Sequence, residues 1–314
     1  MCKETQVLVI GGGIAGIVTA TELAKQQIQV ILVEESPYIG GKVAYQTQPI
    51  SSLSNGEELR GFELVDKWLQ KFNQYSVEVM LDHTVIGLYE NRDVSVVHKE
   101  KITRIKAENI VIATGASEKP VVFNGWTLPG VMTLEAVQQF INRDFVRPGK
   151  RAVIYGVSSF TSGLVELFDK TGIKVEAILI SGDDSSENLS FGSIPVFTVQ
   201  EVTALSKENK VNSLAVALCN GQLFEIEVDF VCTDGGRNPV LETLSIFDCD
   251  IQYSAKLKSF VPSYDEKMET SIENVFVAGA SAGLTSYDAI LASAEIAATS
   301  IAEKSKANGG GGNE

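Results

Sequence analysis

The sequence predicts an α/β fold of two three-layer (ββα) units built on parallel sheets, the first interrupted in the chain by the second. Three observations carry this. "QVLVIGGGIAGIVTATELA" (6–24) joins a short apolar run to a glycine turn and a helical pattern, and "QVILVEE" (29–35) supplies the next strand. The same order returns at "RAVIYGVSSFTSGLVELFDKTG" (151–172), followed by "KVEAILI" (174–180). A last strand, glycine turn and helix, "NVFVAGASAGLTSYDAILASAEIAATSIAEK" (274–304), reads as a return to the first unit. The chain has 314 residues, and at roughly 100–200 residues per domain two domains are expected. Both units are Rossmann-like. The first spans 1–117 and 246–305, the second 118–245, and a flexible tail is expected over 306–314.

The elements follow in order. Residues 6–10 read as a buried strand, and a helix runs from about Ile14 to Gln26. In 57–75, Leu59, Phe62, Val65, Trp68, Leu69 and Phe72 recur at helical spacing. "VEVMLDHTVIGLY" (77–89), "VSVVHK" (94–99) and "ENIVIATG" (108–115) read as strands. "EKPVVFNGWTLPGV" (118–131) is a Pro/Gly-marked linker, and "TLEAVQQFINR" (133–143) a helix with Thr133 as its N-cap. Beyond the second glycine turn come strands at "NSLAVALC" (212–219) and "LFEIEVDFVCT" (223–233). "DGGRNPVLETL" (234–244) then reads as an exit turn.

The chemistry is densest at the first turn. Gly11, Gly13 and Gly16 form G-x-G-x-x-G between a strand and a helix. The first glycine permits the tight turn, the second a close approach to pyrophosphate, and the third close packing of helix on strand. The N–H groups that open a helix have no partner within it and favour an anion. Glu34 ends the second strand, where an acid bonds a ribose hydroxyl. Gly40-Gly41-Lys42 lets the chain run beside a long ligand and adds a cation. Thr114-Gly115 and Gly279-Ala280 end two further strands, at the sheet edge where such ligands bind. A helix starting near Ser286–Ala289 would point its positive end at the same place.

In that order, these stretches resemble the flavoproteins with two dinucleotide-binding domains, the thioredoxin reductase-like class, across nearly the whole chain. "ATGASEKPVVFNGWTLPGVM", "VRPGKRAVIYG" and "DFVCTDGGRNPVLETL" resemble in particular the flavin α subunits of heterotetrameric sarcosine oxidase, dye-linked proline dehydrogenase and hydrogen cyanide synthase. The resemblance implies FAD as cofactor. It places Gly11, Gly13, Ile14, Ala15 and Gly16 on the pyrophosphate and Glu34 with Glu35 at the ribose. Gly41 and Lys42 would lie beside the ribityl or phosphate portion, with Val85 at the adenine through its backbone. Thr114, Gly115, Gly279, Ala280 and Ala289 would lie along the ribityl chain and flavin. Ala280 stands where reductases of the class carry an acid. The region before the second turn, "VMTLEAVQQFINR", lacks the redox C-x-x-C, so the thiol that would attack a disulfide is missing.

The second turn departs further. Ser158 and Thr161 stand where glycines would, and Asp183 and Asp184 come later than Glu34 does in the first unit. No arginine pair serves a 2′-phosphate, which disfavours NADP. The residues leave open whether this unit takes NAD, ATP or nothing.

Composition narrows the rest. The formal charge of −14 argues against nucleic acid and anionic membranes as partners. No stretch approaches the ~20 apolar residues of a membrane span. The N-terminus shows no signal-peptide pattern. Cys2, Cys219, Cys232 and Cys249 are widely spaced and fit no metal site. Together these features suggest a cytoplasmic protein. His83 and His98 read as surface or core residues, and Trp126 and Tyr38 as packing. No catalytic side chain or metal ligand stands out.

The leading expectation is therefore an FAD-dependent oxidoreductase that forms part of a larger enzyme. It would exchange electrons with other protein subunits or another flavin-linked donor or acceptor in amine or imino-acid oxidation; a homo-oligomer is the other expected assembly. A self-contained NAD(P)H-dependent flavin reductase and a non-enzymatic flavin- or nucleotide-binding protein are the alternatives.

Overall fold

The computed structural model describes residues 2–50, 53, 56–89, 92–182 and 190–309. The chain divides into two compact units. Unit 1 comprises 1–44, 50–117 and 238–314, and unit 2 comprises 45–49 and 118–237. Unit 1 thus resumes at Asn238, ahead of the expected 246, and residues 45–49 are grouped with unit 2.

In chain order the main elements begin with β1 (Cys2–Ile10), α1 (Ile14–Lys25), β2 (Val30–Val33), α2 (Gly61–Phe72) and β3 (Glu78–Met80). There follow β4 (Thr84–Tyr89), β5 (Asp93–His98), β6 (Lys101–Ile112), β7 (Val131–Thr133), α3 (Leu134–Asn142) and β8 (Arg151–Tyr155). The chain continues with α4 (Thr161–Thr171), β9 (Lys174–Ser181), β10 (Val196–Lys207), β11 (Lys210–Leu218), β12 (Leu223–Glu227) and β13 (Phe230–Thr233). It closes with α5 (Glu242–Ile246), β14 (Val275–Val277) and α6 (Tyr287–Gly309).

The sheet of unit 1 runs β3–β2–β1–β6–β5–β4, with β14 also paired to β6. β6 changes partner along its length. Its first half pairs antiparallel with β5 and its end pairs parallel with β14, while β1 lies along the other side. The burial pattern follows the change, since alternate residues are buried at first and every residue is buried from Asn109 to Ile112. An antiparallel segment can leave one face to solvent, whereas a parallel segment is covered on both.

Register sets one edge of this sheet level. Ile10 pairs with Val33 and with Ile112, and Ile112 pairs with Val277. The carboxyl ends of β1, β2, β6 and β14 therefore stop together. α1 and α6 pack on the sheet through small residues. Ala20, Ala294, Ala297 and Ala298 are fully buried, and the Thr19 hydroxyl donates to the Ala294 carbonyl at 3.4 Å. α6 extends to Gly309, into the first residues of the expected tail, after the good helix formers Ala302, Glu303, Lys304, Lys306 and Ala307. Residues 310–314 lie outside the described ones, as do Asp183 and Asp184.

The sheet of unit 2 runs β7–β13–β8–β9–β10–β11–β12, with β10 to β12 antiparallel. Alternation along β8 splits the core between two faces. Ala152 and Ile154 pack with Leu164 and Phe168 of α4, and Val153 and Tyr155 pack against β10 and β11. The helix at α3 is N-capped at Thr133, but not by that residue's hydroxyl. The Glu118 carboxylate accepts the Glu135 N–H at 2.7 Å in its place.

Candidate cofactor site

The level edge of unit 1 gathers most of the residues that the sequence singles out. Gly11 follows β1 with φ +105°, and a Cβ there would lie 2.4 Å from the Ala113 carbonyl oxygen at the end of β6. A Cβ on Gly16 would lie 1.9 Å from the Gly11 carbonyl oxygen. Both glycines are thus required by the fold. Gly13 is different: a Cβ there would meet nothing within 4 Å. It is the N-cap of α1, with no side chain closing the helix end. Ile14 and Ala15 form the first turn of that helix, which leaves a small open cradle lined by backbone at a positive dipole end.

Glu34 sits beside this cradle and is 9% exposed. Its Oε2 accepts the Gly12 N–H at 2.5 Å and its Oε1 accepts the Ser36 N–H at 2.8 Å. A carboxylate has about four acceptor positions, so these two bonds orient it without using its capacity. Glu35, next in the chain, is exposed. The Glu34 carbonyl accepts the His83 N–H at 2.9 Å, which brings the start of β4 and Val85 toward the same edge. Val85 is half-buried and paired with Val96.

The glycine pair closes the other side. The Gly40 N–H donates to the Gly12 carbonyl at 2.7 Å, and a Cβ on Gly41 would lie 2.9 Å from the Gly13 Cα. Lys42 sends its ammonium to the Ala116 carbonyl at 2.7 Å, tying this loop to the end of β6. At the far wall, the Gly115 N–H donates to the buried Ser281 hydroxyl at 2.7 Å, and Thr114 Oγ1 lies 3.4 Å from that same oxygen. Gly279 packs on α1, since a Cβ there would lie 2.6 Å from that of Ala15. Its N–H donates to Ser293 Oγ at 2.9 Å. Ala280 is half-buried in the following turn. The Ala289 N–H, at the start of α6, is bonded to Ser286 Oγ at 3.3 Å.

Ser281, Ser293 and the Gly12 amide are the members of this arrangement that sequence reasoning missed. Ser281, two residues beyond Gly279, and Ser293, inside α6, carry no pattern of their own. The two histidines stack on each other, with centroids 4.9 Å apart, and each bonds a backbone carbonyl. Among the described residues, no group of three or more His, Cys, Asp and Glu is placed to hold a metal. No helix among them is long and apolar enough to cross a membrane.

A glycine cradle at a helix start, a fixed acid after the second strand and open strand ends fit the pyrophosphate and ribose of a dinucleotide. The family model of the pyridine nucleotide-disulphide oxidoreductases matches residues 5–180. The chain belongs to this family. It is an FAD-dependent oxidoreductase. Over 315 residues it is 26% identical to the alpha chain of sarcosine oxidase from Corynebacterium sp. (strain U-96), covering 90% of this chain and 31% of that relative. Over 330 residues it is 23% identical to one of the subunits of opine oxidase from Agrobacterium tumefaciens (strain Ach5), covering 93% and 64%. The chain thus spans under a third of the first relative's length and just under two thirds of the second's. Among solved structures, L-proline dehydrogenase from P. horikoshii superposes with a TM-score of 0.77 at 21% identity, over 98% of this chain and 57% of that one. That likeness shows the fold.

Proposed function

We propose that the chain is the electron-transferring flavin subunit of a complex that oxidises a secondary amine or imino acid. The observation that carries this reading is the similarity, over nine-tenths of the chain, to relatives that are subunits of sarcosine and opine oxidases. Bound FAD would supply the two-electron chemistry. The chain's residues would do the rest by position. The N–H groups of Gly13, Ile14 and Ala15 would hold the pyrophosphate, and Glu34 the adenosine ribose, with Glu35 and Val85 toward the adenosine. Gly41, Lys42, Thr114, Gly115, Gly279, Ala280 and Ala289 would border the ribityl chain and the ring. The units would act as a flavin-binding domain and a second nucleotide-like domain.

This reading excludes disulfide reduction. The chain has no C-x-x-C, and Cys232 and Cys249 are buried. The partners would be further subunits in a reducing, cytoplasmic compartment, a setting that suits four free thiols.

The test is to purify the chain both alone and in its assembled state, measure flavin content, and assay secondary amines and imino acids with a dye acceptor. FAD in both preparations, with turnover confined to the assembly, is expected. Robust turnover by the pure, flavin-loaded chain would overturn the proposed dependence on partners.

A further inference from the structure

Unit 2 repeats the strand–turn–helix of unit 1, but its turn is filled by the chain itself. Gly156 ends β8 with φ +94°, and a Cβ there would lie 2.1 Å from the Asp234 carbonyl oxygen. Gly11 closes on Ala113 in the same way in unit 1. The two positions differ in what they carry, a methyl group at Ala113 and a carboxylate at Asp234.

That carboxylate reaches back across the turn. Asp234 Oδ2 accepts the Thr161 hydroxyl at 2.6 Å, the Ser158 hydroxyl at 2.8 Å and the Ser158 N–H at 3.1 Å. The Ser158 N–H is shared with Thr161 Oγ1 at 2.9 Å. Ser158 Oγ in turn accepts the Phe160 N–H at 3.1 Å. Asp234 is 5% exposed and Thr161 is fully buried. Ser158 and Thr161 stand where unit 1 has Gly13 and Gly16. Of the N–H groups in the turn before α4, that of Ser158 is therefore committed to an anion already present, and that of Phe160 to the Ser158 hydroxyl.

We propose that Asp234 is a built-in anion that takes the place of a pyrophosphate at this turn and so excludes nicotinamide dinucleotides from unit 2. Three effects act together. The Ser158 and Phe160 N–H groups and the hydroxyls of Ser158 and Thr161 already have partners, so an incoming phosphate must break these bonds to gain its own. The carboxylate repels a second anion across a short distance in a site sheltered from water. The Ser158 side chain fills space that the corresponding glycine of unit 1 leaves open. Asp234 is in this sense a specificity-determining residue, and it directs the supply of electrons away from a nicotinamide held at this turn. The inference rests on unit 2 alone and stands or falls separately from the amine and imino-acid reading.

Isothermal titration of the FAD-saturated chain with NADH tests it, since unit 1 is then filled. The wild-type chain is expected to show no saturable binding up to about 1 mM, while Asp234→Ala binds NADH at least ~10-fold more tightly and Asp234→Asn falls between. Circular dichroism and retained flavin establish that the variants fold. Saturable wild-type binding in the micromolar range overturns the proposal, even if a variant misfolds. So does a failure of both folded variants to bind better than wild type. Absence of wild-type binding with a gain in either variant supports it.

Discussion

The Glu34 carboxylate holds the Gly12 N–H at 2.5 Å across 22 residues of sequence. This bond fixes the middle of the glycine turn to the end of β2, so one side chain both shapes the cradle and presents an acid beside it. Glu34→Ala removes both roles and leaves a sheltered N–H unpaired, at a cost of about 1–3 kcal/mol. FAD affinity should fall by about 10–100-fold, the scale of one lost charge-assisted bond and its misplaced turn. Flavin fluorescence on dilution measures it. Wild-type affinity in Glu34→Ala would detach this residue from the cofactor.

Gly13 and Gly16 should separate binding from folding. A Cβ at Gly13 enters open space, and its φ of −72° suits any residue. Gly13→Val should therefore leave thermal stability within about 1 kcal/mol of wild type while flavin is lost. Gly16→Ala drives a Cβ to 1.9 Å from the Gly11 carbonyl oxygen, and should yield little folded protein. Equal losses of stability in both variants would sink the distinction. Melting curves with and without added FAD read it out.

These two glycines also show what was legible in the sequence. The first turn could be read because each residue's task is local: a tight turn, a close approach, a helix laid on its own strand. Glu34 belongs to the same short unit. Ser281 bonds Gly115 across 166 residues and Asp234 bonds Ser158 across 76, and no spacing rule links such pairs before the sheet brings them together. β6 begins at Lys101 instead of 108 because its first half alternates polar and apolar residues against β5. Its buried second half carries the stronger signal. β10 is hard to read for a related reason. Its twelve residues bury only Val199, Val202 and Ala204, and its partner in the hairpin is the strand that follows it.

Ser281 should prove structural to the far wall of the site. It is fully buried, and its hydroxyl is the acceptor for the Gly115 N–H. Ser281→Ala leaves that amide without a partner and should cost about 1–2 kcal/mol of stability in urea unfolding. Ser281→Thr keeps the oxygen and should recover part of the loss. No change in the unfolding midpoint of the alanine variant would refute this role.

The thiols should divide into two reactive and two protected. Cys2 and Cys219 are exposed, and Cys232 and Cys249 are buried. Burial pushes the Cys232 thiol far up, with the charges of Asp234 and Glu118 adding to the shift. Burial also raises Cys249, partly offset by its bond to the Thr270 hydroxyl. Thiolate is the reacting form, so maleimide near pH 7.5 should modify Cys2 and Cys219 and reach the other pair at least ~100-fold more slowly, through opening of the fold. Peptide mass spectrometry assigns the sites. Fast labelling of Cys232 in folded protein would contradict the packing of unit 2.

Asp229 gives the fold of unit 2 an acid limit. Its Oδ2 accepts the Lys150 N–H at 2.7 Å and the Arg151 N–H at 3.0 Å. The Lys150 bond is the largest cause of its lowered pKa, opposed by burial and helped by the Arg151 bond and by the charges of Arg151 and Lys210. A carboxyl whose folded pKa is depressed stabilises the fold fully above its unfolded value, ~3.9 for Asp. That contribution is lost as pH falls through the lower folded value. Asp229→Asn removes the charge and keeps one acceptor. It should be about 1 kcal/mol less stable than wild type near pH 7. The gap should narrow steadily below about pH 4, as protonation makes the wild-type side chain neutral too. Urea unfolding at a series of pH values checks both the sign and the window. A gap that stays constant from pH 7 to the acid limit would show that these two bonds are insensitive to the charge on Asp229.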